Sequence, residues 1–80
     1  MMTYEVIEKY GWVQGRLGNC ADGFCIHGAL DYVYGQDKRE YFKALDKLIM
    51  IIGHSHIAPW NDGPFRTVDE VLEVLKKAGV

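Results

Sequence analysis

The sequence predicts a mainly α-helical domain, at the margin of the α+β class, in which about four helices form a compact bundle. Two segments begin with the spacing of a capping box, in which side chains close the first turn of a helix, at Asp37–Glu40 and Thr67–Glu70. Apolar residues follow each box at three- and four-residue steps, as in a helix with one buried face. With 80 residues, 49% hydrophobic and 25% charged, the composition fits one globular domain over residues 1–80.

The first half of the chain predicts two short helices around a glycine-rich segment. The first helix has Thr3 as its N-cap and ends at Gly11, and residues 12–24 hold three glycines and an Asp-Gly turn signal. We therefore expect a short β-hairpin or a glycine-rich loop between the first two helices. The second helix covers about 25–34, and Gly28 inside it weakens the helix by roughly 1 kcal/mol relative to alanine. Another part of the chain should therefore pack closely against this glycine.

The second half predicts two longer helices separated by a loop. The apolar period over 38–52 ends at Gly53, and the period after Thr67 ends at Gly79, both typical C-terminal glycines. Residues 54–66 contain both prolines and show no period, which predicts an irregular loop. Loops of this length in small domains tend to carry function.

Net charge and hydropathy argue against two classes of partner. The net charge is −2, and no cluster of lysines or arginines is present, so nucleic acid is not an expected partner. The longest apolar stretch, 48–53, is far below the roughly 20 residues that span a bilayer, so membrane insertion is not expected. The chain shows no basic-then-apolar leader and only two cysteines. We therefore expect a cytoplasmic protein.

The cysteines and histidines form two clusters whose side chains are of the types that bind zinc. The candidate ligands are Cys20, Cys25, His54 and His56. A structural zinc site needs four converging ligands, and a His-x-His pair in a loop differs from the usual spacing. We expect no metal and no cofactor. Cysteine chemistry is a further alternative, although Cys25 and His27 point in different directions if both lie on a helix, so the base would have to come from elsewhere.

Four motifs run along the chain in a fixed order. They are Trp12-x-Gln14-Gly15, Cys25-x-x-Gly28-Ala29-Leu30, Trp60-Asn61-Asp62-x-Pro64 and Thr67-x-x-Glu70-Val71. This order resembles an uncharacterised family of small proteins from actinobacteria and their phages. The resemblance implies an α-rich fold and a phage or actinobacterial source, and it implies no activity. The chain departs from the family pattern at Phe65, where relatives usually carry glycine.

The motifs around the two tryptophans supply the candidate binding residues. These are Trp12, Gln14, Trp60, Asn61, Asp62 and Arg66. Asn and Asp readily fix a turn through local hydrogen bonds, so these residues either brace the fold or form a recognition rim.

Three functions are compatible with the sequence. The first is a small non-enzymatic interaction protein, phage-encoded, that binds a host or phage protein through an aromatic patch; a second copy of the chain is another expected partner. Tyr32, Tyr34, Tyr41 and Phe65 are the aromatic residues expected to be exposed. The alternative is a small-molecule or nucleotide-binding protein with a pocket between the Trp12 and Trp60 loops. The third is an enzyme that uses Cys25 or the histidines.

Overall fold

Five helices and one two-stranded hairpin make up the fold of the computed structural model, which describes all 80 residues. The mainly α class and the hairpin between the first two helices are confirmed. In chain order the elements are α1 (Thr3–Tyr10), β1 (Gly18–Asn19), β2 (Gly23–Phe24), α2 (Ile26–Tyr34), α3 (Lys38–Ile52), α4 (Ile57–Asn61) and α5 (Val68–Ala78).

The prediction of an irregular loop over 54–66 is wrong for the middle of this segment, where α4 forms a helix of five residues. Pro59 lies in the first turn of α4, where a backbone N–H has no partner within the helix, so the proline does not prevent the helix. Five residues are too few to show a helical period in the sequence. The fold therefore has five helices rather than about four.

The helix ends agree with the sequence in all but two details. In α5 both halves of the capping box form, since Thr67 accepts from the Glu70 amide and Glu70 accepts from the Thr67 amide. At α3 only Asp37 acts as a cap, accepting from the Arg39 and Glu40 amides. At α1 the N-cap is Met2, not Thr3. The Thr3 amide, which has no acceptor within the helix, donates to the carbonyl of Val80 at 2.8 Å.

Helix α2 lies at the centre of the bundle and packs against α1, α3 and α4. Leu48, in the middle of α3, is fully buried as its place on the apolar stripe predicts, whereas Leu45 and Ile49 are only partly buried. None of the five helices has the length and apolar character needed to cross a bilayer. The core residues are Val6, Ile7, Phe24, Ile26, Ala29, Leu30, Ala44, Leu48, Ile57, Val71, Leu75 and Val80.

The hairpin is folded back onto the start of α2. Gly18 pairs with Phe24 and Asn19 with Gly23 in antiparallel register, while Trp12 forms a parallel bridge to Phe24. The Leu17 carbonyl accepts from the Cys25 amide and lies directly against the Cα of Gly28. The close packing predicted at Gly28 is therefore confirmed, and it fixes the loop before the hairpin over the first turn of α2.

Candidate functional site

A single buried asparagine joins three parts of the chain. Asn61, at the end of α4, is only 1% exposed. Its Oδ1 accepts from Trp12 Nε1 at 2.8 Å and from the Ile26 amide at 3.1 Å. Its Nδ2 donates to the Val13 carbonyl at 3.1 Å and to Asp62 Oδ1 at 2.9 Å. All four hydrogen bonds that an amide side chain can make are therefore used, and they tie the Trp12 segment to α4 and to the start of α2.

Three further hydrogen bonds, from Gln14 and Gly15, hold the loop that follows Asn61 in place. Gln14 Nε2 donates to the carbonyls of Asn61 and Gly63, each at 2.9 Å. The amide of Gly15 donates to Asp62 Oδ1 at 2.9 Å, and Gly15 has a positive φ of 78° that favours glycine. The Trp-x-Gln-Gly and Trp-Asn-Asp motifs, far apart in sequence, are therefore one hydrogen-bonded unit.

The Asp62 carboxylate is fixed in position but keeps one oxygen free. Both hydrogen bonds that it accepts within the chain, from Gly15 and from Asn61, end on Oδ1, and Oδ2 has no partner. The Gly15 amide, and then the Asn61 side chain, hold the pKa of this exposed carboxyl below its ordinary value. Asp62 is therefore an anion at neutral pH whose geometry is set by the fold.

A cleft of about 220 Å³ opens between the Gly15 loop, α4 and the start of α2. Of the predicted binding residues, Asn61 and Asp62 line it, while Trp12 and Gln14 hold its walls together from outside. Arg16 is paired with Asp22 at 3.2 Å, so its charge is balanced within the chain. The lining residues are Gly15, Arg16, Leu17, Cys25, His27, Ala58, Asn61 and Asp62.

The two remaining predicted residues, Trp60 and Arg66, lie outside this cleft. The Arg66 guanidinium stacks on the Trp60 ring at 3.7 Å, and its Nε donates to the Trp60 carbonyl at 2.9 Å. Its Nη1 pairs with Glu70 at 3.0 Å. The donors of Arg66 are therefore turned onto neighbouring groups, and this half-buried side chain closes the turn between α4 and α5.

The one cysteine and the one histidine that line the cleft each contact a different residue and not one another. Cys25 is the N-cap of α2, and its Sγ accepts from the Gly28 amide at 3.3 Å. His27 Nδ1 lies 3.2 Å from the Tyr41 hydroxyl of α3. Burial lowers the pKa of His27, so its ring is neutral at pH 7.

The other candidate metal ligands do not join the cleft. Cys20 is exposed at the hairpin turn. It lies near Tyr32 of α2, and the Tyr10 hydroxyl and then Cys20 raise the pKa of Tyr32 to about 12. His54 and His56 lie between α3 and α4 with ring centroids 5.8 Å apart. No group of three or more His, Cys, Asp or Glu side chains is arranged to hold a metal ion.

Three lining residues belong to no motif and to no candidate chemistry that the sequence indicates. They are Arg16, Leu17 and Ala58. The only sequence signal for the first two is the surrounding glycine pattern, which predicts an exposed turn but not what it faces. Ala58 belongs to the helix that the sequence analysis missed, so it carried no signal.

We expect the neutral state of His27 to make stability depend on pH. Because burial lowers its pKa in the folded protein, the unfolded chain binds this proton at a higher pH, and stability falls as the pH drops through 6.5. Urea unfolding between about pH 7 and pH 5 should show this loss, and His27→Gln should reduce the slope. His54→Gln, at an exposed position, is the matched control. An unchanged slope in His27→Gln would contradict the prediction.

The comparison with known proteins gives one match. A model of a family of unknown function, DUF6197, matches residues 2–79. No curated protein and no solved structure matches the sequence. The match covers nearly the whole chain, including the Trp-x-Gln-Gly and Trp-Asn-Asp motifs that Asn61 joins, and it agrees with the resemblance to an uncharacterised family. The chain belongs to the family of unknown function DUF6197.

Proposed function

We propose that the protein is a non-enzymatic binding protein whose cleft takes a small organic cation. A small-molecule-binding protein is the alternative function that the sequence predicts. The charge of the cleft indicates in addition that the small molecule is a cation. The volume of about 220 Å³ is below the range of drug-sized pockets, about 300–1,000 Å³, and suits a ligand of a few heavy atoms.

The observation that carries this proposal is the free Oδ2 of Asp62. Arg16 is balanced by Asp22 and His27 is neutral, so the uncompensated charge at the cleft is the Asp62 carboxylate. A carboxylate that is already oriented by two donors loses little entropy when it accepts another hydrogen bond, which favours an ammonium group. The same charge disfavours the phosphates of a nucleotide.

Binding fits the geometry better than catalysis does. A cysteine nucleophile needs a base within hydrogen-bond reach and a third group that orients the base. The Cys25 thiol is engaged by the Gly28 amide and His27 by Tyr41, and no hydrogen bond joins His27 to Asp62. The lining residues therefore supply a shaped, charged surface but no connected acid–base pair.

An NMR titration with butylamine tests the proposal. We expect saturable shifts of the Gly15, Arg16 and Leu17 amides with butylamine and none with butyrate. Asp62→Asn keeps an oxygen that can accept from the Gly15 amide but removes the negative charge. This variant should bind butylamine about tenfold more weakly, as expected for the loss of a charge-assisted hydrogen bond. Asp69→Asn, an exposed carboxylate on α5, is the matched control. Equal binding by Asp62→Asn and the parent protein would overturn the proposal.

A second candidate, a protein partner bound through exposed apolar side chains, is favoured by a separate observation. Phe65 is 91% exposed and Met50 83% exposed, values that are high for such side chains. We propose this partner as the alternative, together with the phage or actinobacterial origin that the family resemblance implies and the cytoplasmic location that the sequence predicts. Capture of one host or phage protein that is lost in Phe65→Ser, and kept in Asp62→Asn, would favour it over the cleft.

A further inference from the structure

A second cavity, of about 320 Å³, lies between the end of α2 and the start of α3. Tyr41 and Phe42 form its aromatic wall, with ring centroids 5.5 Å apart and planes at 81°. Asp31 and Lys38 flank this wall, and neither side chain has an ion-pair or hydrogen-bond partner in the chain. Gly35 completes the lining. This α2–α3 cavity therefore offers an open aromatic face between two unpaired charges.

The α2–α3 cavity and the cleft follow one another along the same face of α2. His27 lines the cleft, and Asp31 and Gly35 line the cavity at four-residue steps from it, which places all three on one side of the helix. At about 1.5 Å per residue, the eight residues from His27 to Gly35 span about 12 Å. The His27–Tyr41 contact at 3.2 Å lies between the two spaces, with one partner lining each.

We propose that the two spaces become one groove when a ligand parts the His27–Tyr41 contact, and that this ligand is an elongated organic cation that ends in an aryl group. The ammonium end lies at Asp62 in the cleft, and the aryl end lies against Tyr41 and Phe42. This inference rests on the proposed function for the cationic end only. An aryl group is favoured over an alkyl chain because it can add a third ring to the edge-to-face pair.

The His27–Tyr41 contact is the partition that such a ligand must pass. It joins an imidazole that is neutral at pH 7 to a phenol, so parting it breaks one hydrogen bond between uncharged groups. Phe42 is 56% exposed, so the aryl end can reach the cavity wall without unfolding α3. The two residues of the partition therefore control the length of ligand that the groove accepts.

A series of amines with increasing chain length tests the groove. Butylamine is compared with phenethylamine, phenylbutylamine and phenylhexylamine by amide-shift titration. We expect either phenylbutylamine or phenylhexylamine to bind about tenfold more tightly than butylamine. That amine should shift the amide signals of Lys38 and Phe42 as well as that of Gly15. Phe42→Ala should remove this gain and leave butylamine binding unchanged. Phe65→Ala is the matched control, because Phe65 is exposed and lines neither space.

A second variant tests the partition itself. Tyr41→Phe removes the hydroxyl and keeps the ring, so the longer amines should bind several-fold more tightly while butylamine is unaffected. Tyr34→Phe, a partly buried tyrosine on α2 that lines neither space, is the matched control.

The outcomes separate the groove from the proposed function. If all amines bind alike and shift only cleft amides, the groove is overturned and the cleft proposal stands. If phenyl-dependent shifts at Phe42 persist in Asp62→Asn with undiminished affinity, the cavity is a separate site and the groove is overturned. If butylamine produces no shift at Gly15, the proposed function fails, and the groove fails with it as an amine site.

Discussion

Asn61→Ala is expected to lower the free energy of unfolding by about 3–5 kcal/mol. The substitution leaves the Trp12 indole N–H and the Ile26 amide without their acceptor, and an unsatisfied buried polar group costs about 1–3 kcal/mol. The Val13 carbonyl also loses its donor, and a small void remains. A domain of this size has a total stability of only about 4–12 kcal/mol, so a large share would be lost.

Urea unfolding of the purified variant measures this loss. Asn19→Ala is the matched control, because Asn19 is an exposed asparagine whose Oδ1 accepts from the Ala21 and Asp22 amides of the hairpin turn. Water can replace those contacts, so the control should lose about 1 kcal/mol or less. Equal losses in the two variants would show that Asn61 is not the link between the motifs.

Gly28→Ala is expected to destabilise the protein by about 2 kcal/mol, although alanine is the better helix former. A Cβ at this position would overlap the Leu17 carbonyl oxygen and lie 3.3 Å from the Phe24 ring. Displacing this carbonyl also disturbs its hydrogen bond from the Cys25 amide. The overlap is with a backbone atom, so its cost lies at the upper end of the range of about 1–3 kcal/mol for overpacked sites, and about 2 kcal/mol remains after the gain of about 1 kcal/mol in helix propensity.

Thermal unfolding distinguishes this steric effect from a general effect of glycine replacement. Gly63→Ala is the matched control, since a Cβ there meets no atom closer than 3.5 Å and the backbone does not require glycine. We expect a lower midpoint for Gly28→Ala and little change for Gly63→Ala. A raised midpoint in Gly28→Ala would mean that the loop before the hairpin is not packed on α2.

Local signals predicted most of the fold because helix starts and ends are set by neighbouring residues. Asp37 and Gly53 bound α3, and Thr67 and Gly79 bound α5, as the sequence indicates. The sequence does not predict α4, because a helix of five residues is too short to show an apolar period. The hairpin position followed from turn chemistry, which acts over two to four residues.

The candidate site depended on contacts that no local signal contains. The sequence identified Asn61 and Trp12 as polar and aromatic members of two loops, but their hydrogen bond joins residues 49 apart. Local bracing was expected for Asn61, whereas its actual partners lie mostly on other elements. The pairing of Arg66 with Glu70 had no local signal either, since Arg66 lies before the N-cap of α5 and is not part of the helix.

The central claim is that the fold holds an ionised Asp62 carboxylate at a cleft that takes a cation. A titration of the Asp62 side-chain carboxyl carbon by NMR, with and without butylamine, tests this claim most directly. We predict a pKa below the ordinary aspartate value of 3.8 in the free protein, because the Gly15 amide and the Asn61 side chain donate to the carboxylate. Butylamine should lower the pKa further, because it binds the ionised form. A pKa at or above 3.8 that butylamine leaves unchanged would contradict the account.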